Sequence, residues 1–227
     1  FYSSDKGATW SFIGNVPSIG RAGFGSISGL STGVALIACH TNSGISTNIR
    51  SQFFVDAFPG LGSFITLDPG GENNKYIWPR VVGGLNTSIT NKFVFIASTS
   101  GADSSFYGIG TSITSSSFIP YNKINADIAE AYSIARGIDG RIGIAYRIND
   151  AIFPAELGDV YFTESTNFGS NFNTPLKIFD ANFNTDSLGN LRGISMVYKG
   201  NTPCVVFETI KQTTTGSFFP ASPSKIR

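Results

Sequence analysis

The sequence predicts an all-β repeat fold, and three features of the 227-residue chain indicate it. Four large aromatic residues, Trp10, Phe64, Phe118 and Phe172, follow one another at a constant spacing of 54 residues. Aromatic residues make up 13% of the chain and charged residues only 14%, with abundant Gly, Ser, Thr and Asn, as expected of many short strands joined by polar turns. No long segment repeats its apolar residues at the helical period. A fixed period in this range indicates a repeat architecture.

Each repeat divides into four strand-like segments bounded by Gly, Pro, Asn or Asp. The second segment is the clearest, and three of its four copies share an Ile-Ala pair. It reads GVALIACH at 33–40, KFVFIAST at 92–99, RIGIAYRI at 141–148 and PCVVFETI at 203–210. Successive hairpins of this kind predict the four-stranded blades of a β-propeller. The segment ADIAEAYSIA at 126–135 is ambiguous between strand and a short helical turn.

The period predicts that 1–227 is a single β-propeller region. Its parts are a partial blade at 1–17, complete blades at 18–70, 71–125 and 126–181, and a partial blade at 182–227. Because propellers close with about 4–8 blades, we expect these to belong to a ring of about six to eight. The chain opens on Phe1 in mid-blade and without an initiator Met, so we expect a processed product or part of a longer protein.

The segments that end on the periodic aromatics carry a turn motif. One full copy and one close variant supply eight residues: Ser3, Asp5, Gly7, Trp10, Ser165, Asn167, Gly169 and Phe172. In such a turn the Asp or Asn side chain accepts backbone N–H groups and glycine takes the positive φ. The aromatic residue is expected to fix the hairpin to the core. We therefore expect these residues to be structural.

This Ser/Thr-x-Asp-x-Gly-x-x-Trp/Phe pattern resembles the Asp-box, or BNR-repeat, β-propellers, which include sialidases and sortilin-type receptors. The resemblance implies that the box turns lie away from the ligand face. For a sialidase it also implies arginines from different blades on the substrate carboxylate, a Tyr nucleophile paired with a Glu, and an Asp acid/base. No catalytic residue carries over, because Trp78-Pro79-Arg80 departs from the family's Arg-Ile-Pro motif and no such Asp is evident.

One arginine lies in the predicted innermost strand of each blade. These are Arg21, Arg80, Arg136 and Arg192. Inner strands surround the channel of a propeller, and guanidinium groups grip carboxylate, sulfate or phosphate groups, so converging arginines predict an anion-binding funnel. Glu130 and Tyr132, near Arg136, are further ligand-binding candidates. The alternative is that each arginine closes its own blade by pairing with carbonyls or with an acid such as Asp139 or Asp186.

Other side chains carry weaker hypotheses. Trp78 and three tyrosines interpreted as loop residues, Tyr76, Tyr107 and Tyr121, are candidates for stacking on sugars. His40 is interpreted as a strand-end residue without triad partners. The loop 149–159, with Asp150, Glu156 and Asp159, either binds calcium or is simply solvated. Cys39 and Cys204 lie in apolar runs and are predicted to be buried free thiols, since a disulfide requires Cα atoms within about 7 Å.

Charge and composition exclude some functions. The net charge of +1 and the lack of a basic run disfavour nucleic acid, and no segment reaches the roughly 20 apolar residues that span a bilayer. One His and two Cys exclude a Cys/His zinc site, and apart from the calcium alternative we expect no cofactor. The first hypothesis is a secreted or cell-surface, non-catalytic propeller that binds a protein or glycan partner. The alternative is a sialidase-like glycoside hydrolase with part of its active site outside this chain.

Overall fold

The computed structural model of the protein is built of β-strands. It describes residues 1–16, 21–31, 33–42, 49–67, 76–84, 92–99, 102–111, 118–126, 131–149, 157–182, 184–211 and 224–227. The strands in these ranges are β1 Ala22–Gly29, β2 Ala35–Thr41, β3 Arg50–Phe58, β4 Ser63–Leu67, β5 Tyr76–Gly83, β6 Phe93–Thr99, β7 Ala102–Gly110, β8 Phe118–Ala126, β9 Tyr132–Arg136, β10 Ile142–Asn149, β11 Gly158–Ser165, β12 Leu176–Phe179, β13 Leu188–Gly189, β14 Ile194–Lys199, β15 Thr202–Lys211 and β16 Ser224–Ile226.

The strands form sheets of four, and three of these sheets have consecutive strands as neighbours. Their orders are β1-β2-β3-β4, β5-β6-β7-β8 and β9-β10-β11-β12. The pairing within them is antiparallel. This up-and-down order is that of propeller blades, so the predicted all-β propeller fold with four-stranded blades is confirmed. A ring of six to eight blades stays a prediction.

The fourth sheet has an interrupted inner strand. β13 pairs with the end of β15 through Leu188 opposite Lys211, and β14 continues along β15 from Ile194 opposite Phe207. β16 pairs with β15 along its other side. Four residues, 190–193, therefore lie opposite two residues of β15, and this interruption contains Arg192.

The second strands β6 and β10 are almost wholly buried, as their apolar runs predict, whereas the first half of β15 is largely exposed. All but the last residue of β6 are buried, and so are the first six residues of β10. Aromatic rings fill the core beside β6: the ring centroid of Phe53 lies 4.7 Å from that of Phe95 and 5.3 Å from that of Phe93. A strand with a neighbour on each edge and packing on both faces accepts such continuous apolar sequence.

The chain forms two compact units. Unit 1 comprises 1–100 and 106–122, and unit 2 comprises 101–105 and 123–227. In unit 1 the inner strands β1 and β5 lie side by side, because the N–H of Val81 donates to Ser26 Oγ at 3.1 Å and that of Gly83 to Ser28 Oγ at 2.9 Å. In unit 2 the N–H of Met196 on β14 donates to Ser133 Oγ on β9 at 3.2 Å. A serine hydroxyl thus joins inner strands in both units.

Two turns, at 3–10 and 165–172, share one set of hydrogen bonds. Ser3 and Ser165 hydroxyls accept the N–H of the glycine four residues later, at 2.7 and 2.8 Å. Asp5 and Asn167 each accept a backbone N–H from four residues later, at 2.9 Å. Each turn has two consecutive residues at positive φ: Lys6 and Gly7, then Phe168 and Gly169. The shared geometry explains why Ser, Asp or Asn, and Gly recur at these positions.

The terminal aromatic residue of the first turn does not fix the hairpin to the core. Trp10 is 63% exposed, and its indole N–H donates to the carbonyl of Gly7 at 3.1 Å. Phe172 is half-buried, while Phe168 in the middle of that turn is buried. The expectation that the aromatic residue pins each turn is therefore wrong for Trp10, which closes the turn through its polar edge instead.

Two other expectations are corrected, and one ambiguous segment is resolved. Cys204 is an exposed free thiol on the exposed first half of β15, whereas Cys39 is free and buried as predicted. Tyr76, Tyr107 and Tyr121 lie in strands β5, β7 and β8 rather than in loops, and Tyr76 is buried against Phe106. In the ambiguous segment, 132–136 is strand β9, because these residues pair with β10; 127–130 lie outside the described residues.

Candidate functional site

The inner strands β1 and β5 each carry a β-bulge near their start. Phe24 and Gly25 of β1 lie opposite a single residue of β2, and Trp78 and Pro79 of β5 lie opposite a single residue of β6. Phe24 and Trp78 are 54 residues apart, so the bulge recurs at the same place in two successive repeats. Bulges bend a strand and re-aim side chains, and they are frequent beside binding and active sites.

The first residue of each bulge has a left-handed backbone. The φ angle is 54° at Phe24 and 55° at Trp78. Such a conformation costs a bulky residue on the order of 1–3 kcal/mol, and it persists only where the surrounding structure imposes it. The two bulges therefore fix the positions of two aromatic rings, and this lowers the free energy of unfolding.

The rings of Phe24, Trp78 and His40 form an aromatic cluster in unit 1. The centroid of Phe24 lies 5.9 Å from that of Trp78, with an interplanar angle of 61°, and 4.9 Å from that of His40, with an angle of 59°. Phe24 is 52% exposed, whereas Trp78 and His40 are half-buried. Edge-to-face packing of this kind holds rings in place without covering them.

His40 supports the cluster from the penultimate position of β2. Burial lowers the pKa of its imidazole below the ordinary value of 6.5, so the ring is neutral at pH 7. A Cβ atom on Gly23 would lie 3.1 Å from Nε2 of His40, which shows how closely the imidazole covers the backbone beside Phe24. The neutral imidazole of His40 thus packs against one side of the cluster.

Two of the candidate arginines belong to these strands. Arg80 follows Trp78 by two residues on β5 and is exposed, as the alternating burial of that strand requires. Arg21 immediately precedes β1 and is also exposed, and its N–H donates to Oδ1 of Asn42 at 2.9 Å. The structure therefore places Arg80 just beyond the bulge of β5, and Arg21 at the start of β1.

The other two arginines belong to unit 2 and occupy different positions in their blades. Arg136 is the last residue of β9, opposite Ile142, and its burial lowers the pKa of its guanidinium. Arg192 is exposed in the interruption between β13 and β14, where its N–H donates to Oε1 of Glu208 at 3.0 Å. The four arginines thus do not recur at one position of the inner strand, and their convergence into one funnel stays a prediction.

The acids proposed as partners for these arginines have other contacts. Asp139 forms an ion pair with Arg141, with 2.8 Å between Nη2 and Oδ2, rather than with Arg136. Asp186 accepts the N–H of Leu188 at 3.0 Å. Asp139 is thus held by Arg141 in its own turn, and the closing of each blade by its inner-strand arginine stays a prediction.

The remaining candidates give little support to a ligand site in unit 2. Tyr132 is only 3% exposed, and Glu130 lies outside the described residues. Of the calcium loop, Asp150 and Glu156 are also outside the described residues, whereas Asp159 binds Lys177 at 2.7 Å and the N–H of Ala181 at 2.8 Å. Within the ranges that the structure describes, no group of three His, Cys, Asp or Glu side chains is arranged to hold a metal ion.

Unit 2 does contain a close tyrosine–glutamate pair, which sequence reasoning missed. The hydroxyl of Tyr198 donates to Oε1 of Glu164 at 2.6 Å, and Arg141 binds Oε2 at 3.2 Å. Glu164 directly precedes Ser165, so the pair lies at the end of β11 that leads into the turn 165–172. Burial, and the bond to Glu164, raise the pKa of Tyr198, which is opposite to what a phenolate nucleophile requires. The pair is a contact between β11 and β14.

Unit 1 also contains an apolar cavity of about 440 Å³. The first turn and the first sheet line it, with Tyr2, Trp10, Ile27 and Phe64 among its walls. Asp56 is also in its lining, but this carboxylate is 4% exposed and accepts the N–H of Gly60 at 3.0 Å. The cavity thus offers volume and apolar surface, and the carboxylate in its lining is already hydrogen-bonded to the backbone.

Comparison with known proteins shows the fold. The chain is similar to a protein of unknown function from Dyadobacter fermentans (TM-score 0.55, 16% identity, 86% of this chain and 49% of that chain). It is also similar to a Hadza microbial sialidase (0.53, 8%, 91% and 44%) and to a leech intramolecular trans-sialidase (0.55, 12%, 99% and 35%). The chain thus spans less than half the length of each. No protein-family model and no curated protein sequence matches it.

In the described part of the chain, no helix has the length and apolar character needed to cross a membrane.

Proposed function

We propose that this chain is part of a secreted or cell-surface Asp-box β-propeller that binds glycans without cleaving them. The observation that carries the proposal is the position of exposed Arg80, which follows Trp78 of the aromatic cluster by two residues on β5. A guanidinium supplies planar donors for the carboxylate of an acidic sugar, and aromatic rings supply an apolar surface beside it. The fold shared with two sialidases supports a glycan over a protein as the partner.

The charges near this site favour binding over hydrolysis. In the described part of unit 1 the carboxylates are Asp5, which accepts the N–H of Thr9 within its own turn, and Asp56, which accepts the N–H of Gly60 in the turn after β3. A sialidase-like hydrolase, as the resemblance implies it, requires a Glu paired with its Tyr nucleophile and an Asp acid/base, since sialidases do not follow the two-carboxylate scheme of most glycosidases. The described inner strands of unit 1 supply Arg80 but neither of these acids. The sialidase-like hydrolase remains the alternative.

Titration calorimetry tests the proposal with acidic and neutral oligosaccharides, including 3′-sialyllactose and lactose. We expect the acidic glycan to bind more tightly at low salt and to lose that advantage in 1 M NaCl, because exposed charges are screened. Arg80→Gln should weaken acidic binding about tenfold or more, the usual weight of a charge-assisted hydrogen bond. Lys199→Gln removes an exposed cation at the end of β14 and is the matched control.

The outcomes separate the two functions. If no oligosaccharide binds, or if Arg80→Gln and Lys199→Gln have equal effects, the proposed site is wrong. Sugar release from sialyllactose by the chain, lost in Arg80→Gln, would instead favour the hydrolase.

A further inference from the structure

We propose that Phe24 and Trp78 form a stacking subsite that binds the apolar face of one pyranose ring. This inference rests on the proposed glycan binding and deepens it, since it assigns a ligand contact to residues other than the arginines. A pyranose carries C–H groups on one face. These pack on aromatic rings because the face of an aromatic ring carries a partial negative charge.

The backbone supplies the first step of the argument. Phe24 and Trp78 both adopt φ near +55° at bulges one repeat apart. Glycine or asparagine would satisfy this backbone at lower cost. The strain therefore requires a compensating role for the aromatic side chains, and strained residues of this kind concentrate at ligand contacts.

The environment of the rings supplies the second step. Phe24 is 52% exposed although its ring contacts both His40 and Trp78. The contacts restrict the ring before a ligand arrives, so stacking requires little further loss of side-chain freedom. The cluster contributes no charge, because the imidazole of His40 is neutral at pH 7. The surface thus suits an uncharged sugar face.

The position of Arg80 supplies the third step. It lies two residues beyond Trp78 on β5 and is exposed, so the Cα atoms of the two residues are at most about 7 Å apart. A polar group of the same glycan can therefore reach the guanidinium while a ring stacks on the cluster. The two contacts differ in salt dependence, because screening weakens ionic contacts but not the burial of apolar surface.

Tryptophan fluorescence gives a direct test, since Trp10 and Trp78 are the two tryptophans of the chain. In a Trp10→Phe background the emission reports on Trp78. We expect saturating oligosaccharide to shift this emission to the blue and to protect it from acrylamide quenching. The change should persist in 1 M NaCl. Unchanged emission at a concentration where calorimetry shows full binding would overturn the subsite.

Substitution of Phe24 gives the second test. Phe24→Asn removes the ring but tolerates a left-handed backbone, so the protein should fold, and sugar affinity should fall five- to tenfold in 1 M NaCl. Phe24→Tyr keeps the ring and should bind like the parent. Phe12→Ala, which truncates another exposed ring, is the control. If Arg80→Gln weakens glycan binding and Phe24→Asn does not, the proposed function stands and this inference is overturned. If no glycan binds, the proposed function and this inference are both wrong.

Discussion

At the scale of single residues, four of the five described non-glycine residues with positive φ follow the repeat, the exception being Ser187. Lys6 and Phe168 are left-handed residues at equivalent places in two turns, and Phe24 and Trp78 are left-handed at equivalent places in two bulges. The first pair precedes glycines that continue the turn, whereas the second pair lies within strands. In the turns the left-handed conformation thus serves the backbone, because the two side chains are unlike. In the inner strands both left-handed residues are aromatic.

The first turn makes a prediction about acidity. Hydrogen bonds from the Thr9 hydroxyl, the Thr9 N–H and the Ser3 hydroxyl lower the pKa of Asp5 from its ordinary value of 3.8 to about 2. Because the folded pKa is depressed, the turn is fully stabilised above pH 3.8 and loses this stabilisation as the pH falls through about 2. We expect a carboxyl NMR titration of Asp5 to have its midpoint near 2.

Substitution of Thr9 tests the cause of that shift. Thr9→Val removes the hydroxyl and keeps the N–H, so the pKa of Asp5 should rise but stay below 3.8. Thr9→Ser restores a hydroxyl and should return the midpoint toward the parent value. An Asp5 titration that Thr9→Val leaves unmoved would show that the hydroxyl does not hold the carboxylate.

At the scale of elements, the contact between β1 and β5 depends on a glycine. A Cβ atom on Gly83 would lie 2.6 Å from the carbonyl oxygen of Gly29 and 2.7 Å from Cδ2 of Leu30. A Cβ on Gly29 itself would meet nothing within 4 Å. At this contact between β1 and β5, position 83 has no room for a side chain, whereas position 29 has.

This asymmetry gives a prediction with its own control. Gly83→Ala should lower the free energy of unfolding by about 1–3 kcal/mol, because two backbones must separate. Gly29→Ala should leave it unchanged or raise it by up to about 1 kcal/mol, since the unfolded chain loses freedom. Urea unfolding followed by circular dichroism measures both. Equal effects of the two substitutions would contradict the close approach of β1 and β5.

Sequence reasoning predicted the strands better than the positions of side chains on them. The apolar runs located β2, β6, β10 and β15 to within two residues, because runs of β-branched and aromatic residues bounded by turn residues are typical of strands. The bulges in β1 and β5 were not predicted, since their register depends on pairing with the next strand. For the same reason Phe24 was missed, although its spacing of 54 residues from Trp78 was visible. Side-chain partners such as Arg141 for Asp139 depend on local turn geometry that spacing does not encode.

At the scale of the whole molecule, the two thiols report on different parts of the chain. Cys39 is 4% exposed in β2 of unit 1, and burial raises its pKa to about 11. Cys204 is exposed in unit 2. Since the thiolate is the reactive form, we expect one thiol of the native protein to react quickly with a chromogenic disulfide at pH 8, and both to react after unfolding.

The reaction rate of the buried Cys39 thiol can report ligand binding at the proposed site. Cys39 lies in the sheet that carries Phe24. Because its thiol is buried, we expect it to react only when that sheet opens. A ligand that binds the native surface of β1 and β5 lowers the population of the open form by the factor 1 + [L]/Kd. In Cys204→Ser, an oligosaccharide at ten times its Kd should therefore slow the labelling of Cys39 about tenfold. In Cys39→Ser, the same sugar should not change the labelling of Cys204, which is already exposed. If Cys39 in the native protein reacts as fast as Cys204, or if bound sugar leaves its rate unchanged, the ligand does not stabilise the first sheet and the glycan site must be sought elsewhere.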